Sequence, residues 1–245
     1  MAPDSPSAPA LPAAREPDRP RDKVRIRFRK GGDLRLLSHH DLMRTFERML
    51  RRAALPFRRT QGFHPKPRLV FALSLPLGVV GCEEVVELEL EEVLPPEEVR
   101  ERLARQTPAG LEVLSVRRID PRAGAQVRRL CYAVAVPPER VHGLAGRVAE
   151  VLAAGECWVD RNRPPQRRVD LRPFLHELRL SPPSGPEGGA RLEMDLWLTP
   201  SGTARPEELL RLLGLQGLAE AGAVIERTRL ELADETVPPI AEGIA

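Results

Sequence analysis

The chain has 245 residues, room for one large domain or two small ones, and its 42% hydrophobic and 30% charged side chains suit a soluble globular protein. Cys82, Cys131 and Cys157 lie far apart with no CxxC or CxxxCxxC pattern, which excludes a zinc ribbon or a cluster-binding radical enzyme and, with no secretory leader, points to the reducing cytoplasm. No apolar run approaches the ~20 residues that span a membrane, so no membrane partner is expected.

Residues 1–22, with a proline every few positions, read as a disordered tail. Val24, Ile26 and Phe28 alternate with Arg25, Arg27 and Arg29, the pattern of a half-buried strand. After the Gly31-Gly32-Asp33 turn, Ser38 is placed to cap a helix, with Asp41 completing a capping-box-like pair. Leu42, Phe46, Met49, Leu50 and Ala53 make one apolar stripe, and Leu55-Pro56 ends the helix. Leu69, Phe71, Leu73 and Leu75 form a second strand, and Val86, Leu88 and Leu90 a third. Pro95-Pro96 opens a second helix with Val99 and Leu103 inward, and Leu111 to Ile119 is a fourth strand.

The order is β-α-β-β-α-β, and the second half repeats it with extra material. Its elements are a strand over Leu130–Val136, a helix over Pro138–Ala154, and strands around an Arg-rich loop (Cys157–Asp160 and Val169–Leu180). A strand through Leu192–Leu198, a helix over Pro206–Leu213 and a strand over Val224–Leu232 follow. The predicted class is α+β, two tandem ferredoxin-like units with antiparallel sheets. They occupy 23–120 and 127–232, with a tail over 233–245.

Residues 21–72 hold fifteen Lys or Arg against four acids, an excess of eleven in a chain whose net charge is only +3. His40, Arg44, Arg48, Arg51 and Arg52 fall on the helix side opposite the apolar stripe. The following loop carries Arg58, Arg59, Gly62, Phe63, His64, Lys66 and Arg68, and Pro65 and Pro67 stiffen it. A dense cationic surface of this kind points to nucleic acid, with Arg44, Arg48, Arg51, Arg52, Lys66 and Arg68 on phosphates and Phe63 and His64 on a base or sugar. The bland alternative is a solvated helix face. His40 or His64 as a general acid or base would instead make a metal-independent endoribonuclease. Neighbouring His39 and His40 point about 100° apart on a helix and cannot readily share a metal, so no metal or cofactor ligands are assigned.

Residues 83–101 carry nine acids against Arg100 alone, read as a solvated strand face and an acidic helix start, or as a dock for a basic partner. A second basic stretch, Arg161 to Arg179, offers another phosphate-contact loop.

The run LSHHDLMRTFERMLRRAALPFRRTQGFHPKPRLVFALSLPLGVVGCEEVVELEL, with VDLRPFLHELRL (169–180) and RPEELLRLLGL…VIERTRLEL (205–232), resembles the bacterial radical SAM-linked protein family. The matching positions include Ser38, Asp41, Gly62, Pro65, Pro67 and Arg172. Members stand alone or are fused behind B12-binding-type radical SAM proteins, so the resemblance implies an accessory module rather than an enzyme. Its partner would be a radical SAM enzyme supplied in trans. With the basic helix and loop, the expectation is an accessory protein that binds tRNA or rRNA for that enzyme. A protein–protein adaptor that never touches RNA is the other alternative.

Overall fold

The computed structural model describes residues 22–61, 63–161, 166–182 and 188–235. The expected tails therefore lie outside the described residues except at their inner ends, as do Gly62 and Arg163. The fold is mixed α+β, built on one mostly antiparallel sheet.

Strand β1 (Asp22–Lys30) buries Val24, Ile26 and Phe28, as its alternation predicts. Helix α1 (His39–Arg52) starts at Ser38, whose hydroxyl accepts from the Asp41 N–H (3.2 Å) and donates to the Asp41 carboxylate (2.7 Å). The Leu42–Ala53 stripe is buried. A short β2 (Leu69–Phe71), a long β3 (Val80–Leu90), α2 (Pro96–Ala104) and β4 (Leu111–Ile119) complete the first half. The second half runs β5 (Val127–Val136), α3 (Pro138–Val141), α4 (Leu144–Ala153), β6 (Trp158–Arg161), β7 (Arg167–Asp170), β8 (Leu175–Ser181), β9 (Ala190–Trp197), α5 (Pro206–Leu212) and β10 (Glu226–Leu232).

Two departures from the sequence reading have local causes. The helix expected over 138–154 is broken, because His142 is extended and Gly143 is left-handed at φ 67°. The apolar run 169–180 is likewise two strands. Asp170 accepts from the N–H groups of Cys157 (2.7 Å) and Arg172 (3.0 Å), and the 3-10 turn Arg172–Phe174, which contains Pro173, redirects the chain.

The strand order is β4-β1-β3-β10-β5-β9-β8. β3 pairs with β1 along nearly its whole length; on its other edge it takes β2 at Val86–Leu88 and β10 at Val80 and Gly81. That last pairing is parallel and fuses the halves into one eight-stranded sheet, where two antiparallel sheets were expected. One apolar core gathers β1, α1, β3, α2 and β4. The second gathers the C-terminal half together with Leu75, Val79 and Val85.

Past β10 the chain crosses back to the first half. The Ala233 N–H donates to the Gln126 carbonyl, Arg25 meets Asp234 at 2.9 Å, and Glu235 pairs with Arg25, Arg27 and Arg117. A hydrogen bond from Arg25 holds the Asp234 carboxyl below its ordinary value. Burial works against Glu235, but Arg27 and its neighbours outweigh it, so that carboxyl is lowered too. A depressed carboxyl contributes stability that is whole above its ordinary pKa and fades as pH falls through the lowered one. The double change Asp234→Asn, Glu235→Gln should therefore lower Tm at pH 7. The gap to the unaltered chain should close as melts are repeated from about pH 4 downward. A gap independent of pH would mean the contact is not ionic.

Candidate nucleic-acid interface

Both faces of α1 follow from its spacing. With one side committed to the core, His40, Arg44, Arg48, Arg51 and Arg52 are left exposed. Arg44 lies 3.5 Å from Asp41, Arg51 lies 3.8 Å from Glu47, and Arg48 donates to the Thr45 hydroxyl at 3.3 Å. Arg52 donates to the Gln106 carbonyl (2.9 Å). The ion pairs of Arg44 and Arg51 are long and solvated and worth little, and all four arginines keep most of their five N–H donors free of these contacts.

The segment after α1 forms an arm. The Arg58 N–H donates to the Glu89 carbonyl (2.9 Å) and the Arg68 N–H to the Arg58 carbonyl (2.8 Å). The Thr60 N–H reaches the Lys66 carbonyl (2.8 Å), and the Lys66 N–H returns to the Thr60 hydroxyl (3.1 Å). This hairpin is anchored on β3 and holds Phe63, His64, Pro65 and Lys66 at an exposed tip, while Pro67 is buried at its base. Phe63 is fully exposed, so it forgoes the roughly 1.5–3 kcal/mol that burying such a ring returns. Beside the arm's base the Arg59 guanidinium covers the Phe57 ring, 5.2 Å from its centroid.

Other expected contacts are taken up within the protein. Arg68 and Arg58 both turn to Glu89, at 3.3 and 3.6 Å, so Arg68 belongs to the arm's base rather than its open surface. Lys23 and Arg25 are buried against Glu87, at 2.7 and 2.8 Å, and Lys30 is buried with its ammonium on the Leu37 carbonyl. Much of the charge excess of 21–72 is therefore internal, and Glu87 and Glu89 are ion-pair partners rather than a solvated face. The Arg25 and Glu87 partners lie 62 residues apart in sequence, and no local pattern could reveal them.

The histidines separate. His39 packs edge-on against Phe71, with ring centroids 5.2 Å apart, and burial lowers its pKa, helped by His40 and Lys30. His40 is exposed on α1 and His64 on the arm tip. Among the described residues no three His, Cys, Asp or Glu side chains gather as a metal would require. In the second basic stretch, Arg161 is buried against Glu208, while Arg172 donates to the carbonyls of Ala154 (3.1 Å) and Leu175 (3.3 Å), a fastening role. Arg168 lies over the exposed Trp158 ring at 5.0 Å.

The family model described as "Uncharacterized protein conserved in bacteria (DUF2344)" matches residues 23–206, from the first strand to the start of α5. The chain belongs to this family. No curated protein is similar to this member at a significant level. Two solved structures are similar over most of their length. "Crystal Structure of an Unknown Protein from Galdieria sulphuraria" is 15% identical, covering 87% of this chain and 99% of that one, with a TM-score of 0.26. "Crystal structure of putative glycine cleavage system transcriptional repressor" is 8% identical, covering 84% and 96%, with a TM-score of 0.22. At these scores neither likeness carries an argument about this member. No helix among its described residues is long and apolar enough to cross a membrane.

Proposed function

We propose that this DUF2344 member is a cytoplasmic RNA-binding accessory protein, built on two ferredoxin-like units, that presents tRNA or rRNA to a separate radical SAM enzyme. The scaffold reading is supported by the two strand sets β4-β1-β3-β2 and β10-β5-β9-β8, the same permutation of first to fourth strand in each half. The enzyme partnership rests on the sequence resemblance.

The observation that carries RNA binding is the fully exposed Phe63 on an arm whose other exposed side chains include Arg59, His64 and Lys66. An isolated ring among cations suits stacking on an unpaired base, while guanidiniums on α1 take phosphates. His40 and His64 then act as contacts rather than as an acid–base pair.

Fluorescence anisotropy with a labelled single-stranded RNA and with bulk tRNA tests this. Arg48→Ala with Arg51→Ala should weaken binding about tenfold at low salt and flatten the salt slope by roughly 1.4 for single strands. Phe63→Ala should cost about 1–3 kcal/mol, with a smaller effect on the slope. RNA incubated with the protein in EDTA should stay whole; defined cuts lost in His40→Ala or His64→Ala would favour the nuclease. No RNA binding at low salt would leave the adaptor.

A further inference from the structure

A cleft of about 790 Å³ opens between the Leu73–Pro76 segment, β5, β6 and the start of α5, within the size range of small-molecule sites. It brings together segments from both halves and shares no residue with the α1 surface or the arm.

Arg161 is 9% exposed and lines this cleft. Its Nε and Nη2 donate to Glu208 at 2.7 and 2.9 Å, and Nη2 also reaches the Thr203 carbonyl at 2.8 Å. Its Nη1 has no acceptor among the described residues, which leaves that nitrogen available to a ligand. Three further arginines line the same space, of which Arg227 is committed to Glu84. Arg205 lies 4.0 Å from Glu208, at the limit of an ion pair, and Arg211 makes no ion pair among the described residues. Guanidinium groups converging on one space match the oxygens of a phosphate. Asp160 and Glu207 line the cleft as well. Carboxylates accept from hydroxyls, so a sugar-bearing phosphate suits this wall better than a bare anion. Leu73 and Leu130 supply apolar lining for a ring.

We propose that the cleft binds a ribonucleoside monophosphate, with the phosphate on Arg161 Nη1, Arg205 and Arg211 and the ribose hydroxyls on the acidic side chains. The proposal does not rest on the RNA reading, because its groups are distinct from the α1 and arm groups.

Isothermal titration of the full chain with each of the four ribonucleoside monophosphates, ribose 5-phosphate and inorganic phosphate tests it. At least one nucleotide should bind one to one and more tightly than inorganic phosphate. Arg205→Ala and Arg211→Ala, both at exposed positions, should each weaken it by about tenfold. Ser74→Trp, which places bulk at an exposed cleft position, should abolish it. Arg48→Ala with Arg51→Ala should leave it unchanged even where RNA binding is lost. The proposal is overturned if no nucleotide gives saturable heat or if inorganic phosphate binds as tightly. It is also overturned if nucleotide affinity survives both arginine changes in chains with unaltered circular dichroism.

Discussion

Replacing Arg227 with Met should cost about 3–5 kcal/mol of unfolding free energy, because it leaves a carboxylate buried without its main partner. Arg227 on β10 is 1% exposed and Glu84 on β3 is 3% exposed. Their contact is two-pronged, with Nε to Oε1 at 2.7 Å and a second bond from Nη2, and Nη1 also reaches the Ser74 carbonyl at 3.3 Å. Gly81 makes room for it: a Cβ there would lie 2.5 Å from Glu84 Cγ. Lys30 is close enough for Glu84 to raise its pKa against the lowering by burial, and this second cation should keep the loss towards the lower figure. The companion change Glu84→Gln, combined with Arg227→Met, should recover much of the stability, since it removes the stranded charge. Urea denaturation of the four chains of this cycle gives the coupling. If both single variants lose less than about 1 kcal/mol, the pair is not the buried bridge described here.

The second large effect is expected at Phe46, which is 0% exposed. Its ring meets Phe28 at 5.0 Å and Phe71 at 5.4 Å, both edge to face, and Phe71 in turn meets Phe28 at 5.9 Å and His39 at 5.2 Å. Truncation to Ala should cost about 3–5 kcal/mol from lost burial and the cavity left behind. Part of this is the edge-to-face geometry, about 0.5–1.5 kcal/mol per aromatic pair. Phe71 closes the strand that follows the arm, so the change should also loosen the arm. Amide exchange over residues 57–71 should rise in Phe46→Ala under conditions where the chain is still folded. Unchanged exchange there would mean that β3 alone holds the arm.

What the sequence made legible was whatever repeats locally. The β1 alternation, the Ser38 cap, the α1 stripe and the proline that opens α2 each lie within a window of about fifteen residues, and each stands where expected. The same logic placed the exposed arginines of α1. Non-local facts were hidden. Arg25 reads as a solvated strand residue until Glu87, Asp234 and Glu235 arrive from other strands and from beyond β10. Arg161 reads as one more cation in a basic loop, and its bond to Glu208 on α5 exists only after the second half has folded. The break at Gly143 carried a signal, a glycine within an otherwise helical pattern, but the surrounding Leu and Val periodicity masked it.

The contact between Arg25 and the Asp234–Glu235 pair brings the two ends of the described residues together. The first described strand and the residues after the last one lie against each other, so a cut in a loop between strands is compatible with the same order of strands in space. In a chain cut down to residues 22–235, a peptide linker from Glu235 to Asp22, with new termini opened in the 120–126 connection, should leave every β pairing in place. It would also turn the two halves into neighbours joined on the opposite side.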